Sequence, residues 1–325
     1  MRCAAAPRAR IGWVVEGRSA DLLDNHPAID DVLRVPRGWY RTWKGIREVV
    51  GRVRAFAPTV TLDLQGLLKS ALLARCSGAK TRIGFGGAEG RELSRWVNNI
   101  RVTAQSEHVV DKNLELLSAL EIPHGDDVRF DVPRNAAAEA GIAAWVDEQQ
   151  LRDGYVILNP GAGWASKRWP PHAFAETAVY LGKRCGVRSV VSWAPGEERT
   201  WAEEIVTASQ NRAVLAPPTN LVQLAALCRG ARLFVSGDTG PLHLATAVGT
   251  PCVGLFGASD AARNGPYGAN MVSLQKIKLE GSSRVRRGAD NSAVCAISVE
   301  DVLGACDAIL PGAAGDHGYR QATAA

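Results

Sequence analysis

Residues 235 to 260 read VSGDTGPLHLATAVGTPCVGLFGASD: two short apolar runs, separated by a polar, glycine-bearing turn and a small helix. The run Leu233 to Ser236 suits a buried strand, and Pro241 to Val248 suits a helix with proline at its first position, stopped by Gly249 and Pro251. A second strand is expected at Cys252 to Phe256. In such a unit the turn lies beyond the carboxyl end of a parallel strand, where the free N–H groups of the helix start bind anions. Gly237 and Gly240 permit a tight turn and close backbone approach, and Thr239 adds a hydroxyl beside the amides of Gly240 and Leu242. The chemistry on offer is therefore phosphate binding. Asp238 repels a bare phosphate, so it is expected either to accept hydrogen bonds from hydroxyls, as on a sugar, or to cap the helix. His243, one helical turn in, also has an ordinary structural reading.

Two other polar turns follow apolar strands. In NPGAGWASKRW, Gly161 and Gly163 precede Lys167 and Arg168. Glycine amides beside a lysine can hold a pyrophosphate, although the spacing is not that of G-x-x-x-x-G-K-[ST]. In SWAPGEER, Glu197 or Glu198 is placed to bind ribose hydroxyls. Together the three turns describe a nucleotide diphosphate site with sugar-binding polar groups.

The elements that must position these turns alternate. In the first half, RIGWVVE (residues 10–16) is a strand, ADLLDNHP a short helix, DDVLRVP a strand, WKGIREVVGRVRAF a helix, TVTLDLQG a strand, LLKSALLARCSG a helix and TRIGFGG a strand. At Asp131 the composition changes to an alanine-rich helix after a proline, which sets a boundary between residues 1–133 and 134–311. The second half restarts with YVILNPG, PPHAFAETAVYLGKRCG, SVVSWAPG, RTWAEEIVTASQ, RAVLAP and NLVQLAALCRG before reaching the opening turn. Both halves read as doubly wound α/β domains facing a cleft, a usual place for a ligand. The tail, residues 312–325, is expected to be disordered.

Composition narrows the function classes. The 325 residues are 46% hydrophobic and 22% charged, as in a soluble globular protein, and no apolar run approaches a membrane span. The N-terminus lacks a secretory apolar core, so a cytoplasmic location is expected. Seven scattered cysteines, Cys3, Cys76, Cys185, Cys228, Cys252, Cys295 and Cys306, form no C-x-x-C pair and suggest neither a zinc site nor a disulfide framework. No H-E-x-x-H or G-x-S-x-G occurs. GFGGAEG at 84–90 misses the G-x-G-x-x-G of a dinucleotide-dependent oxidoreductase. Net charge is +5, and residues 34–54 hold seven basic side chains against the single acid Glu48, with Trp39, Tyr40 and Trp43 interleaved. That stretch is either a solvated helix face or a docking surface for an anionic partner, of the kind found at lipid headgroups. No motif points to nucleic acid.

Over about 260 residues the chain resembles glycosyltransferase family 9, the bacterial heptosyltransferases of lipopolysaccharide inner core. The resemblance rests on RIGWVVE, DLQGLLKSALLA, RIGF, HVVDKNLELL, NPGAGWASKRWP, SGDTGPLHLATAVGTPCVGLFG and NGPYG, in family order. It implies a GT-B arrangement, with the acceptor (Kdo-lipid A or a heptosylated core) on the N-terminal domain and ADP-heptose on the C-terminal domain. It also implies inverting transfer without metal or cofactor; for such an enzyme, residues 34–54 offer a contact with the cytoplasmic face of the inner membrane. By position, Lys167 would neutralise the diphosphate, Glu197 would hold the ribose, Thr239 and Gly240 would bind phosphate oxygens, and Asp238 and His243 would lie at the sugar. Where some relatives carry threonines before the lysine, this chain has Ala162 and Gly163, so backbone amides must serve. Lys69 resembles an acceptor-side contact.

One departure concerns the base. Members of the family begin with a strand and a G-D turn whose aspartate resembles the general base, whereas RIGWVVE corresponds to their second strand. About one βα unit and that aspartate are therefore expected to be absent, which leaves the catalytic base unknown and two neighbouring strands with unpaired edges. A start upstream is the expected explanation. The alternative is a catalytically deficient sugar-nucleotide-binding fragment.

Overall fold

The computed structural model describes residues 9–87, 89–90, 94–123, 125 and 128–310. Cys3 and the tail from residue 312 lie outside them. The chain divides between Arg134 and Asn135 into two units.

Among its described residues the first unit has five strands, all in parallel pairs: β1 (Gly12–Glu16), β2 (Asp31–Val35), β3 (Val60–Asp63), β4 (Thr81–Phe85) and β5 (Ile100–Val102). β1 pairs with β2, and β3-β4-β5 form a separate sheet. The helix Trp43–Phe56 is capped by Thr42, whose side chain accepts from the Gly45 amide at 3.1 Å. It buries Val49 and Val53, four residues apart, against Val35, Trp39 and Leu73. At its far end Arg54 Nε donates to the Cys76 carbonyl at 2.7 Å, which ties it to the helix Leu68–Cys76. Trp13 and Val14 on β1, and Val60 and Leu62 on β3, are more than one-third exposed. These are the apolar positions of strands that lack a second hydrogen-bonded neighbour among the described residues.

The second unit forms one six-stranded parallel sheet from β6 (Tyr155–Asn159), β7 (Arg188–Val191), β8 (Ala213–Leu215), β9 (Ala231–Gly237), β10 (Cys252–Phe256) and β11 (Met271–Gln275). The strand order is β11-β10-β9-β6-β7-β8. Every residue of β6 and β10 is buried, as continuous apolar runs covered on both faces require. The core joins them to Phe174, Leu181, Ile205 and Val302 of the flanking helices. β6 is the first strand of the unit and sits at the centre, with β7 and β8 wound to one side and β9 to β11 to the other. That reversal between β6 and β9 opens a crevice beyond their carboxyl ends, where open α/β sheets bind ligands. In the first unit β1-β2 and β3-β4-β5 remain two separate parallel sheets. No strand is hydrogen-bonded between β1 and β3 among the described residues.

The alternation read from the sequence is present in both units, and the structure adds β5 and β11. Among the described residues no helix is long and apolar enough to cross a membrane.

Candidate functional site

Three strand ends of the second unit are tied together by side chains. Asn159 closes β6, and its Nδ2 donates to Ser236 Oγ at 2.9 Å and to the Gly161 carbonyl at 3.2 Å, while its Oδ1 accepts from Ser192 Oγ at 2.9 Å. Ser236 Oγ lies 3.1 Å from Thr239 Oγ1. Thr239 is the N-cap of the helix Gly240–Ala247, accepting from the Leu242 amide at 3.4 Å. When Ser236 donates to Thr239, the threonine proton is left for a ligand.

Capping therefore falls to Thr239 and not to Asp238. Asp238 turns to Lys167, whose Nζ sits 2.5 Å from Oδ2, and to His243, whose Nε2 is 3.1 Å from Oδ1. Burial alone would raise the Asp238 pKa, but the hydrogen bond to His243 and the charge of Lys167 outweigh it and hold the carboxyl well below its usual range. Lys167 ends the short 3₁₀ turn Ala165–Lys167, and its ammonium lies 4.4 Å from the centre of the Trp164 ring.

These groups open onto a cleft of about 350 Å³ lined by Asn159, Gly161, Ala162, Gly163, Trp164, Lys167, Ala194, Glu198, Asp238, Thr239, Gly240 and Pro241. Of the residues singled out in the sequence, Gly161, Gly163, Lys167, Asp238, Thr239 and Gly240 meet there. His243 reaches it through Asp238. The glycines differ in purpose. A Cβ on Gly237 would come within 2.6 Å of the Lys167 carbonyl, and one on Gly161 within 2.2 Å of the Glu198 carboxylate. At Gly163 and Gly240 an added Cβ would meet nothing within 4 Å, so close packing does not explain these two glycines.

The structure distinguishes the two adjacent glutamates. Glu198 lines the cleft and accepts from the Ala194 amide at 3.0 Å. Glu197, the expected ribose ligand, has a side chain 79% exposed and stands 3.8 Å from Arg168. The helix Glu197–Ala208 turns consecutive side chains about 100° apart, so only one can face the cleft. Trp164 and the Asn159 network were not singled out by the sequence reading. The polar residue ending the apolar run YVILN was the available signal.

In the first unit Lys69 Nζ lies 3.0 Å from Glu16 Oε2 and 5.1 Å from the Tyr40 ring centre. Burial works against Glu16, but the Gly38 amide and Lys69 hold its carboxyl below the ordinary range. Asp63, at the end of β3, is buried; its Oδ1 accepts from the Gln65 and Gly66 amides, each at 3.2 Å, and its Oδ2 from Asn98 at 3.3 Å. The basic stretch divides into two groups. Arg34, Arg52 and Arg54 are engaged within the fold and Trp39 is buried. Arg37, Arg41, Lys44 and Arg47 are exposed around Trp43, which is 75% exposed.

The profile of glycosyltransferase family 9 (heptosyltransferase) matches residues 46–293. Lipopolysaccharide heptosyltransferase 1 of Pseudomonas aeruginosa is 31% identical over 287 residues, 83% of this chain and 76% of that protein. Lipopolysaccharide heptosyltransferase 3 of Escherichia coli K12 is 26% identical over 322 residues, 94% of this chain and 90% of that protein. Among solved structures, a family 9 glycosyltransferase from Veillonella parvula superposes with a TM-score of 0.81 at 22% identity, covering 94% of this chain and 90% of its own. Escherichia coli heptosyltransferase WaaC with ADP-2-deoxy-2-fluoro heptose gives 0.71 at 22%, covering 94% and 91%.

Proposed function

Because the chain belongs to glycosyltransferase family 9, the heptosyltransferases, we propose that it moves heptose from ADP-heptose onto the Kdo or heptose inner core of lipopolysaccharide. The observation that carries this reading is the convergence of Lys167, Thr239, the Gly240 helix start and Glu198 on one cleft at the β6/β9 reversal. A cation and a helix N-terminus meet there, as an anionic leaving group requires, and a carboxylate suited to hydroxyls stands beside them. In the transfer, an acceptor hydroxyl oxygen bonds to the anomeric carbon as the carbon–oxygen bond to ADP breaks. The hydroxyl proton passes to a base, and the charge developing on the diphosphate is taken by Lys167 and by the amides of Thr239 and Gly240. Attack opposite the leaving group inverts the anomeric centre. No step in this scheme calls on a metal.

Within this reading Glu198 takes the ribose hydroxyls in place of Glu197, Asp238 and His243 stand at the sugar, and Lys69 faces the acceptor. A lipid-anchored acceptor would bring the chain to the cytoplasmic face of the inner membrane, with the exposed cations near Trp43 toward the lipid headgroups.

A second reading has its own support. Glu16 and Asp63, the carboxylates at the ends of β1 and β3, are both engaged in hydrogen bonds. That arrangement favours a chain that holds the sugar nucleotide without an effective base. Mass spectrometry of Kdo-lipid A incubated with ADP-heptose separates the two. Transfer predicts an acceptor heavier by one heptose with stoichiometric ADP. Binding with the acceptor mass unchanged supports the second reading.

A further inference from the structure

The charge around the cleft does not suffice for its proposed ligand. Its lining holds one cation, Lys167, against two carboxylates, Asp238 and Glu198, and Lys167 already lies 2.5 Å from Asp238. A diphosphate esterified at both ends brings about two further negative charges, so local amides would have to work against a net repulsion. Arg168, which follows Lys167, is committed elsewhere. Its Nε donates to the Ala162 carbonyl at 3.2 Å and its guanidinium stacks 4.5 Å from the Trp201 ring centre, near Glu197.

A second guanidinium, from a distant part of the sequence, stands against Trp164, one of the residues that line the cleft. The helix Ser283–Gly288 packs on the Ala165–Lys167 turn. Ser166 Oγ donates to the Arg286 carbonyl at 2.8 Å, Arg286 Nη1 donates to the Ala258 carbonyl at 3.0 Å, and Asn291 Nδ2 donates to the Arg168 carbonyl at 3.0 Å. Residues 283–291 are thereby strapped to the turn that carries Trp164 and Lys167. Arg287 projects from this strap with its guanidinium 5.0 Å from the centre of the Trp164 ring, the same indole that Lys167 approaches at 4.4 Å. It is exposed, and among the described residues it has no carboxylate partner. An exposed cation held only on an aromatic ring gives up little when it moves to a phosphate, because such a contact is weak.

We infer that Arg287 is a diphosphate-binding residue of this cleft, held ready on Trp164 and transferred to the ligand's phosphates when a nucleoside diphosphate enters. The inference rests on the donor-site reading above and adds the countercharge that Lys167, shared with Asp238, does not supply. The planar fork of arginine can take two phosphate oxygens at once.

Calorimetric titration of ADP, AMP and adenosine into the wild-type chain and the variants Arg287→Gln, Arg287→Lys and Arg284→Gln tests this. Arg284 lies on the same short helix, so its variant removes an equal charge from the same element. Arg287→Gln should weaken ADP binding about 10-fold or more, weaken AMP less and leave adenosine unchanged. Arg287→Lys should recover part of the loss, and Arg284→Gln should stay within about twofold of wild type. Equal ADP affinity in Arg287→Gln and wild type would overturn the role of Arg287 and leave the donor site standing. So would a loss for adenosine as large as that for ADP, since a structural effect ignores phosphate number. A wild-type chain that binds no ADP would overturn the donor-site reading itself.

Discussion

Lys167 Nζ and Asp238 Oδ2 are 2.5 Å apart, and the other oxygen of the same carboxylate meets His243 Nε2 at 3.1 Å. The lysine that faces the cleft is thus neutralised before any ligand arrives, and a bound phosphate must share it. On the proposed reading, this carboxylate is the group that would distinguish a sugar nucleotide from the bare nucleotide.

Asp238→Asn separates those two effects. Removing the negative charge should strengthen ADP binding at low salt, whereas the extra affinity of ADP-heptose over ADP should shrink by about 1 kcal/mol as an acceptor for sugar hydroxyls is lost. Calorimetry with both ligands reads the difference. An unchanged increment would remove Asp238 from the sugar.

The same carboxylate sets an acid limit on stability. Asp238 has a lowered pKa in the folded chain, so its contribution is complete above the unfolded value of about 3.9 and is lost as pH falls through that value toward the folded one. The melting temperature of the wild type should therefore drop more steeply below about pH 4 than that of Asp238→Asn. Thermal melts across acidic buffers show this, and parallel slopes would contradict the ion pair.

Glu198 and Glu197 offer an internal control because they are adjacent in sequence and differ in placement. Glu198→Ala should weaken ADP binding by about 1 kcal/mol or more, and Glu197→Ala should leave it within about 0.5 kcal/mol. The reverse order would return the ribose contact to Glu197.

How far the sequence carried these conclusions depended on the range of the interaction. Helix and strand alternation was legible because it follows from local periodicity: Val49 and Val53 recur at helical spacing, and YVILN is continuously apolar because β6 is covered on both faces. The 239–242 turn was legible as a helix start because proline, glycine and a capping hydroxyl mark one locally. Which of Glu197 and Glu198 lines the cleft was not legible, since it depends on which way the first turn of a helix is rotated. The pairing of Asp238 with Lys167 spans 71 residues and that of Trp164 with Arg287 spans more than one hundred. Strand order brings such pairs together, and no local pattern records them. The aromatic–basic stretch was legible in composition only, because burial removes Trp39 from its exposed face and leaves Trp43.

That exposed face yields a binding prediction. Replacing Arg37, Arg41 and Lys44 together by glutamine should reduce sedimentation with vesicles of anionic phospholipid, most strongly at low salt, by about 1 kcal/mol per charge near the surface. Trp43→Ala should lower the salt-resistant part. A wild-type chain that does not sediment with such vesicles would make the patch a solvated helix face.

The proposed function requires that Lys167 hold the diphosphate of a nucleotide sugar. Titration of ADP-heptose into wild type and Lys167→Ala, with both folds checked by circular dichroism, measures this most directly. The prediction is one site per chain in the wild type, and a loss of about 1.5–3 kcal/mol, roughly 10- to 150-fold in Kd, in the variant. Equal affinity in the two proteins would contradict it, and would move the diphosphate away from the cleft between Gly161 and Gly240.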